Sequence, residues 1–279
     1  MRLSELGEFG LLAKLEARGL AARIGDDAAQ LPDGLVVTQD ALVEDVHFRL
    51  DWTSWRDLGY KAAAVNISDL SASGARPFAL VVSLGAPPDT ALEDVLELYA
   101  GLNEAGVEIV GGDTTRAERL YLSVTALGRS ARVPGRAGAI PGDLLVVTGP
   151  LGGSGAGFRA LLDGVESPQR AEHLRPPLRV EEGLRLAQAA HAMIDLSDGI
   201  AHDAGHIAER SGCRLVIDLD RVPRAGELAD LGFGEDYELL AATPDPLDFP
   251  VIGRCEEGEG VELLLAGEPC ELGGWEHFS

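Results

Sequence analysis

Leu3, Leu6, Leu11, Leu12 and Leu15 recur at helical spacing and predict a helix over 3–18. An apolar run at 35–38 predicts a strand, an alanine-rich stretch a helix over 56–74, and a second apolar run a strand over 78–84. Asp89 is placed to cap a helix that ends at Gly106, and strands follow at 107–110 and 121–128. Strands that alternate with helices predict an α/β or α+β layered domain. The segment GRAGAIPG, residues 135–142, interrupts the pattern and marks a domain boundary, giving an N-terminal domain of 1–137 and a C-terminal α/β domain of 138–279. The second half opens with the strand LLVVTG and the glycine-rich turn GPLGGSGAG. Helices are expected over 154–164, 179–191 and 198–211, and strands near 214–218, 237–242, 249–253 and 261–265.

The chain's 279 residues suffice for two ordinary domains, each with its own core. A net charge of −23 repels DNA and anionic membrane, which argues against nucleic-acid and membrane-surface partners. No apolar run is long enough to span a bilayer. The opening MRLSELGEFG carries Glu5 and Glu8 and does not read as a signal peptide, so the cytoplasm is the expected compartment. Cys213, Cys255 and Cys270 are irregularly spaced and read as buried or bystander thiols.

The informative feature is where the aspartates fall. GDDAA sets Asp26 and Asp27 in a turn, TQD sets Asp40 at a strand end, and NISDL sets Asp69 on a helix. GGDTT sets Asp113 just past a strand, and DLSDG sets Asp195 and Asp198 around Ser197 at a strand-to-helix turn. Any one of these is what a turn or N-cap aspartate looks like. Five such motifs in one chain fit a shared site, since clustered carboxylates repel unless protonated or bound to cations, and magnesium prefers hard oxygen ligands together with substrate phosphates.

The motifs GEFGLLAKL, IGDDAA, TQDALVEDVHF, GYKAAAVNISDLSASGARP, VGGDTT, MIDLSDGIAHDAGHI, GEDYELL and GGWEHF resemble those of the thiamine-monophosphate kinase family, in that family's order and over nearly the whole chain. The family sits in a superfamily with aminoimidazole ribonucleotide synthetase, selenophosphate synthetase and a hydrogenase-maturation protein. The resemblance implies a two-domain subunit whose N-terminal domains pair strands into a barrel across a homodimer, and an ATP-dependent phosphorylation of thiamine phosphate. It implies magnesium ligands at Asp27, Thr38, Asp40, Asp69, Asp113, Asp195 and Asp198, with Gln39 offering its backbone carbonyl. Nucleotide contacts would come from Gly112, Asp113, Arg136 and Ser197, and thiamine phosphate contacts from His47, Glu235 and Trp275. Two features depart from the family. Phe233 stands where a glycine often precedes GED, and the stretches before it and between Asp163 and Pro176 are short.

Other signals carry competing readings. GPLGGSGAG could cradle a phosphate on backbone N–H groups or serve only as a turn; it is not a GxxxxGK[ST] loop. His202 and His206 share a helix face, but Asp203 stands where a zincin has glutamate, which favours a structural role. Lys61 reads as structural. Two rival functions stay open: another ATP-using member of the superfamily, and a nucleotide or metal sensor without turnover. A selenophosphate synthetase would carry a reactive residue near the N-terminus, whereas the first cysteine here is Cys213.

Overall fold

The computed structural model describes residues 2–21 and 24–274. Helix α1 (Leu3–Ala17) covers the predicted range but loses helical geometry at Gly7, where φ is +69°, a value suited to glycine. Five strands follow in the first half: β1 (Ala29–Gln30), β2 (Leu35–Val43), β3 (Arg76–Ala86), β4 (Glu108–Arg116) and β5 (Tyr121–Arg129). They form one sheet in the order β1-β2-β5-β3-β4, antiparallel except for the β3–β4 pair. Strand β4 runs six residues beyond the predicted end at 110, so GGDTT lies inside the strand rather than after it. Gly112 is required there: a β-carbon would sit 1.8 Å from the Val82 carbonyl oxygen of β3.

One face of this sheet packs on α2 (Trp55–Ala72). Ser54 caps that helix by accepting the Asp57 N–H at 3.1 Å. Leu122, Val124 and Ala126 of β5 are buried, while the residues between them are half-exposed on the other face. Helix α2 is buried nearly all round, which its small residues Ala62, Ala63 and Ala64 permit. Helix α3 (Leu92–Glu104) crosses it at two glycines. A β-carbon at Gly59 would meet the Leu98 carbonyl oxygen at 1.9 Å, and one at Gly101 the Arg56 carbonyl oxygen at 1.9 Å. The N-cap of α3 is Ala91, not Asp89.

The second half is built on seven strands: β6 (Leu144–Val147), β7 (Ala192–Asp195), β8 (Arg214–Asp218), β9 (Leu239–Thr243), β10 (Val251–Glu256), β11 (Gly260–Leu265) and β12 (Glu268–Cys270). Their order is β12-β11-β8-β10-β6-β9-β7, with β8 and β11 parallel and the other pairs antiparallel. Helix α7 (Ile200–Ser211) buries Ile200, Ala204, Ile207 and Ala208 against it, and Cys213 and Cys255 lie in the same core. The remaining helices are α4 (Gly153–Leu162), α5 (Gln169–Leu174) and α6 (Val180–Leu186). Helix α5 is six residues long, between two prolines at 168 and 176, too short for a periodicity to register. The helix expected over 179–191 ends at Leu186.

Helix α2 joins the halves. It also packs on α6 and β7, with Gly183 allowing α6 so near that a β-carbon would stand 2.2 Å from the Ser71 carbonyl oxygen. Among the described residues, no helix is long and apolar enough to cross a membrane. Replacing Gly59 by Ala forces α2 away from α3, and we expect a loss of about 3 kcal/mol in stability, read from urea unfolding. An unfolding midpoint equal to that of the parent protein would show that the two helices are not held in this contact.

Candidate active site

A cleft of about 680 Å³ opens where α2 meets the second half. Lys61, Val65 and Asp69 recur at intervals of four along α2 and so fall on one helix face. Val65 and Asp69 line the cleft directly, and Lys61 and Asp69 lie about 12 Å apart along the helix.

At one end three carboxylates converge. Asp27, from the turn before β1, Asp69 of α2 and Asp195 at the end of β7 bring oxygens within 4.8 Å of one another. Thr38 of β2 donates its hydroxyl to Asp69 Oδ2 at 2.5 Å, and Ser68 donates to Asp195 Oδ2 at 2.6 Å. Asn66 Oδ1 accepts the Asp40 N–H at 2.9 Å, which fixes β2 against α2 at the cleft. Arg136 reaches Asp27 Oδ1 through Nε at 3.0 Å, and Asp26 accepts the Arg136 backbone N–H at 2.8 Å. Ser197 and Asp198 also line the cleft.

Burial, then repulsion from Asp27, pushes the Asp195 carboxyl up to about 8 against the opposing hydrogen bond from Ser68. Burial raises Asp69 well above its ordinary value, with Asp40, Asp195 and Asp27 adding repulsion. Burial also raises Asp27, despite the Arg136 cation beside it. In an effective dielectric of about 20, two like charges so close repel by on the order of 3 kcal/mol. Such repulsion favours a proton or a cation at this end of the cleft, and its carboxylate and hydroxyl oxygens are hard donors, a set that suits magnesium better than copper.

The other end is different in character. The loop 234–237 is strained, with Glu235 at φ +55° and Tyr237 at φ +51°, and it is clamped by Glu235 N–H to the Ser197 carbonyl at 2.8 Å and Tyr237 N–H to the Leu196 carbonyl at 2.9 Å. Lys61, only 2% exposed, contacts Glu235 Oε2 at 3.1 Å, and His173 Nδ1 stands 3.3 Å from the same oxygen. Burial alone would raise Glu235, but the Lys61 cation outweighs it and holds the carboxyl below its ordinary value. Burial, helped by Lys61, depresses His173 to about 4, so its ring is neutral. Phe158 stacks on Phe233 at 5.0 Å and meets Trp52 edge-on at 6.2 Å, forming an aromatic wall. His47 accepts the Val43 N–H at Nδ1, 3.1 Å, which leaves the neutral ring's proton on Nε2.

The cleft thus gathers Asp27, Thr38, Gln39, Asp40, His47, Asp69, Arg136, Asp195, Ser197, Asp198 and Glu235. It does not gather Gly112 or Asp113. These line a separate depression of about 400 Å³ on β4, together with Tyr99 of α3, which sequence reasoning passed over. The β-sheet register pairs Asp113 with Ser83, Ser83 with Ser123, and Ser123 with Ala41, while Asp40 pairs with Val124. Asp113 is therefore three strand spacings, about 14 Å, from β2 and on the opposite sheet face from Thr38 and Asp40. The Gln39 side chain lies on that outer face, accepting from the Thr125 hydroxyl at 2.9 Å. Trp275 lies outside the described residues.

Two glycine-turn amides have an internal partner: Gly152 and Ser154 donate to the Asp236 carboxylate at 2.7 and 3.2 Å, and burial raises that group to about 7. The turn GPLGGSGAG is thereby tied to the chain's own carboxylate, which favours the simple-turn reading. His202 and His206 meet edge-on at 5.0 Å. Asp203 accepts the Asp198 and Gly199 N–H groups at 3.1 Å each and so holds the start of α7.

Residues 25–130 match the AIR synthase related protein, N-terminal domain family, and residues 141–269 match its C-terminal domain family. The chain is 37% identical, over the full length of both proteins, to a thiamine-monophosphate kinase of Aquifex aeolicus. It is 38% identical to that of Mycobacterium tuberculosis over 99% of this chain and 93% of the relative. The alignment with the Aquifex protein spans 309 positions against 279 residues here, so part of it has no counterpart in this chain. The solved structure of AaThiL complexed with AMPPCP and TMP superposes with a TM-score of 0.92, 36% identity, and 99% of each chain covered. Sequence, fold and cleft agree: this chain belongs to the AIR synthase related family and, within it, to the thiamine-monophosphate kinases.

Proposed function

We propose that the chain transfers the γ-phosphoryl group of ATP to the phosphate of thiamine phosphate, giving ADP and thiamine diphosphate, in the cytoplasm. The observation that carries this reading is one cleft with a carboxylate-rich end and an aromatic end, in a chain similar along its length to a protein solved with AMPPCP and TMP. The domain boundary is taken at 137/138, and residues from both sides of it line the cleft.

Asp27, Thr38, Asp40, Asp69, Asp195 and Asp198, with the Gln39 carbonyl, would hold magnesium. Magnesium bound there neutralises the phosphate oxygens and relieves the repulsion between two polyanions. Arg136 and Ser197 contact the nucleotide phosphates, and Asp27 orients the Arg136 guanidinium toward them. The acceptor phosphate has a second pKa of about 6 and is mostly a dianion at neutral pH, so no general base is required. His47 suits binding rather than proton abstraction: with Nδ1 occupied by the Val43 N–H, its Nε2–H is a donor to a phosphate oxygen. Transfer is a single in-line displacement. ADP should appear only when thiamine phosphate and magnesium are both supplied, and ATP chiral at the γ-phosphorus should give inverted product. ADP release indifferent to thiamine phosphate, as a sensor or another superfamily member would show, would contradict the reading; so would net retention.

The second part of the reading is a homodimer formed through the first sheet. Supporting it, the outer face of that sheet is only half-covered, edge strand β4 is exposed from Val110 to Arg116, and Phe78 and Val110 are exposed apolar side chains. Asp113, Gly112 and Tyr99 then act from one subunit on nucleotide or metal at the interface, which answers their distance from the cleft of their own chain. Light scattering at micromolar concentration should give twice the chain mass of 29.3 kDa, and Val110→Asp should give the single-chain mass. A monomeric parent protein would remove this part of the reading.

A further inference from the structure

Lys61 is buried, does not line the cleft, and spends its charge on Glu235. Burying a lysine without a partner is costly, so its place on α2 is set by that contact. Both close contacts to Glu235, from Lys61 Nζ and His173 Nδ1, fall on Oε2. Ser154 Oγ in turn stands 2.9 Å from His173 Nδ1 and steadies that ring. The second oxygen, Oε1, is left for a donor in the cleft. Because Lys61 already balances the carboxylate, the site is better suited to a directed hydrogen bond than to a counter-charge. Beside it, Phe158 and Phe233 stack at 5.0 Å, with His173 5.4 Å from Phe158 and 6.0 Å from Phe233. This wall suits a planar heteroaromatic ring, and Phe233 supplies part of it at a position where the family often has glycine.

We infer that Lys61 is a positioning residue for acceptor recognition: it pins Glu235 through Oε2 so that Oε1 accepts a hydrogen bond from the exocyclic amine of the acceptor's pyrimidine ring, which lies against Phe158 and Phe233. This rests on thiamine phosphate being the acceptor. The spacing of Lys61 and Asp69 along α2 sets the ring about 12 Å from the carboxylate end, where the phosphates meet.

The test uses steady-state kinetics with thiamine phosphate and with its desamino analogue, in which hydrogen replaces the pyrimidine amine. Lys61→Met should raise KM for thiamine phosphate about tenfold or more, while kcat and KM for ATP stay within about twofold. The parent protein should reject the desamino analogue by a similar factor, and Lys61→Met should lose that discrimination. Should the lone Glu235 carboxylate unfold that variant, Lys61→Met with Glu235→Gln removes both charges and should show the same raised KM. An unchanged KM in the variants, a parallel rise in KM for ATP, or a parent protein blind to the amine would overturn the inference while leaving the kinase reading intact. A parent protein that does not phosphorylate thiamine phosphate at all would overturn both.

Discussion

Three carboxylates from three distant parts of the chain share a space of 4.8 Å, and among the described residues Arg136 is the cation that bonds to them. Such an arrangement is unfavourable by itself, since desolvation and mutual repulsion both oppose ionisation. The fold holds it through α2, a helix buried on almost every side. Its closeness to α3 and α6 is allowed by Gly59, Gly101 and Gly183, and its polar face is bonded residue by residue to the cleft: Lys61 to Glu235, Asn66 to Asp40, Ser68 to Asp195, Asp69 to Thr38. With α2 fixed by backbone contacts on both sides, Asp69 is kept against Asp27 and Asp195. The cluster therefore favours a proton or a cation.

The same helix gives the cleft its polarity along one axis. Two turns separate the carboxylate that repels its neighbours from the lysine that stabilises one. Asp195 is pushed up to about 8, whereas Glu235 is held low by Lys61 after burial is overcome. One end favours cations; the other keeps a fixed, ionised hydrogen-bond acceptor beside aromatic rings. A phosphotransferase with a phosphorylated heterocycle as acceptor needs both ends at a set distance.

Much of the site was legible in the sequence because aspartates in turns and at strand ends follow short, contiguous motifs. IGDDAA, TQD, NISDL and DLSDG each marked a residue that the fold brings to the cleft. What the sequence hid depends on contacts between distant segments. Lys61 read as structural because nothing in GYKAAAV reveals a partner 174 residues away. His173 sits on a helix too short to carry a period, and Asp236 was masked by its neighbour in GED. Two glycines place Asp113 past a strand in the sequence, since glycine weakens a strand interior; here Gly112 instead permits close β3–β4 pairing and carries the strand onward, to an edge facing away from the cleft. The sheets and helices were largely foreseen from periodicity, while β2 and β4 ran long because ladder pairing continued past their apolar residues.

On the proposed reading, magnesium entering the carboxylate cluster displaces protons. With Asp195 raised to about 8, far above its ordinary 3.8, the cation-free site binds a proton at pH 7 that an unfolded chain would release, and cation binding must expel it. Isothermal titration of magnesium at pH 7, in two buffers of different ionisation enthalpy, reads that proton directly. Heats should depend on the buffer, since protons leave the site on binding, and the dependence should shrink in Asp195→Asn without vanishing, because Asp69 is raised as well. Equal heats in both buffers would contradict it.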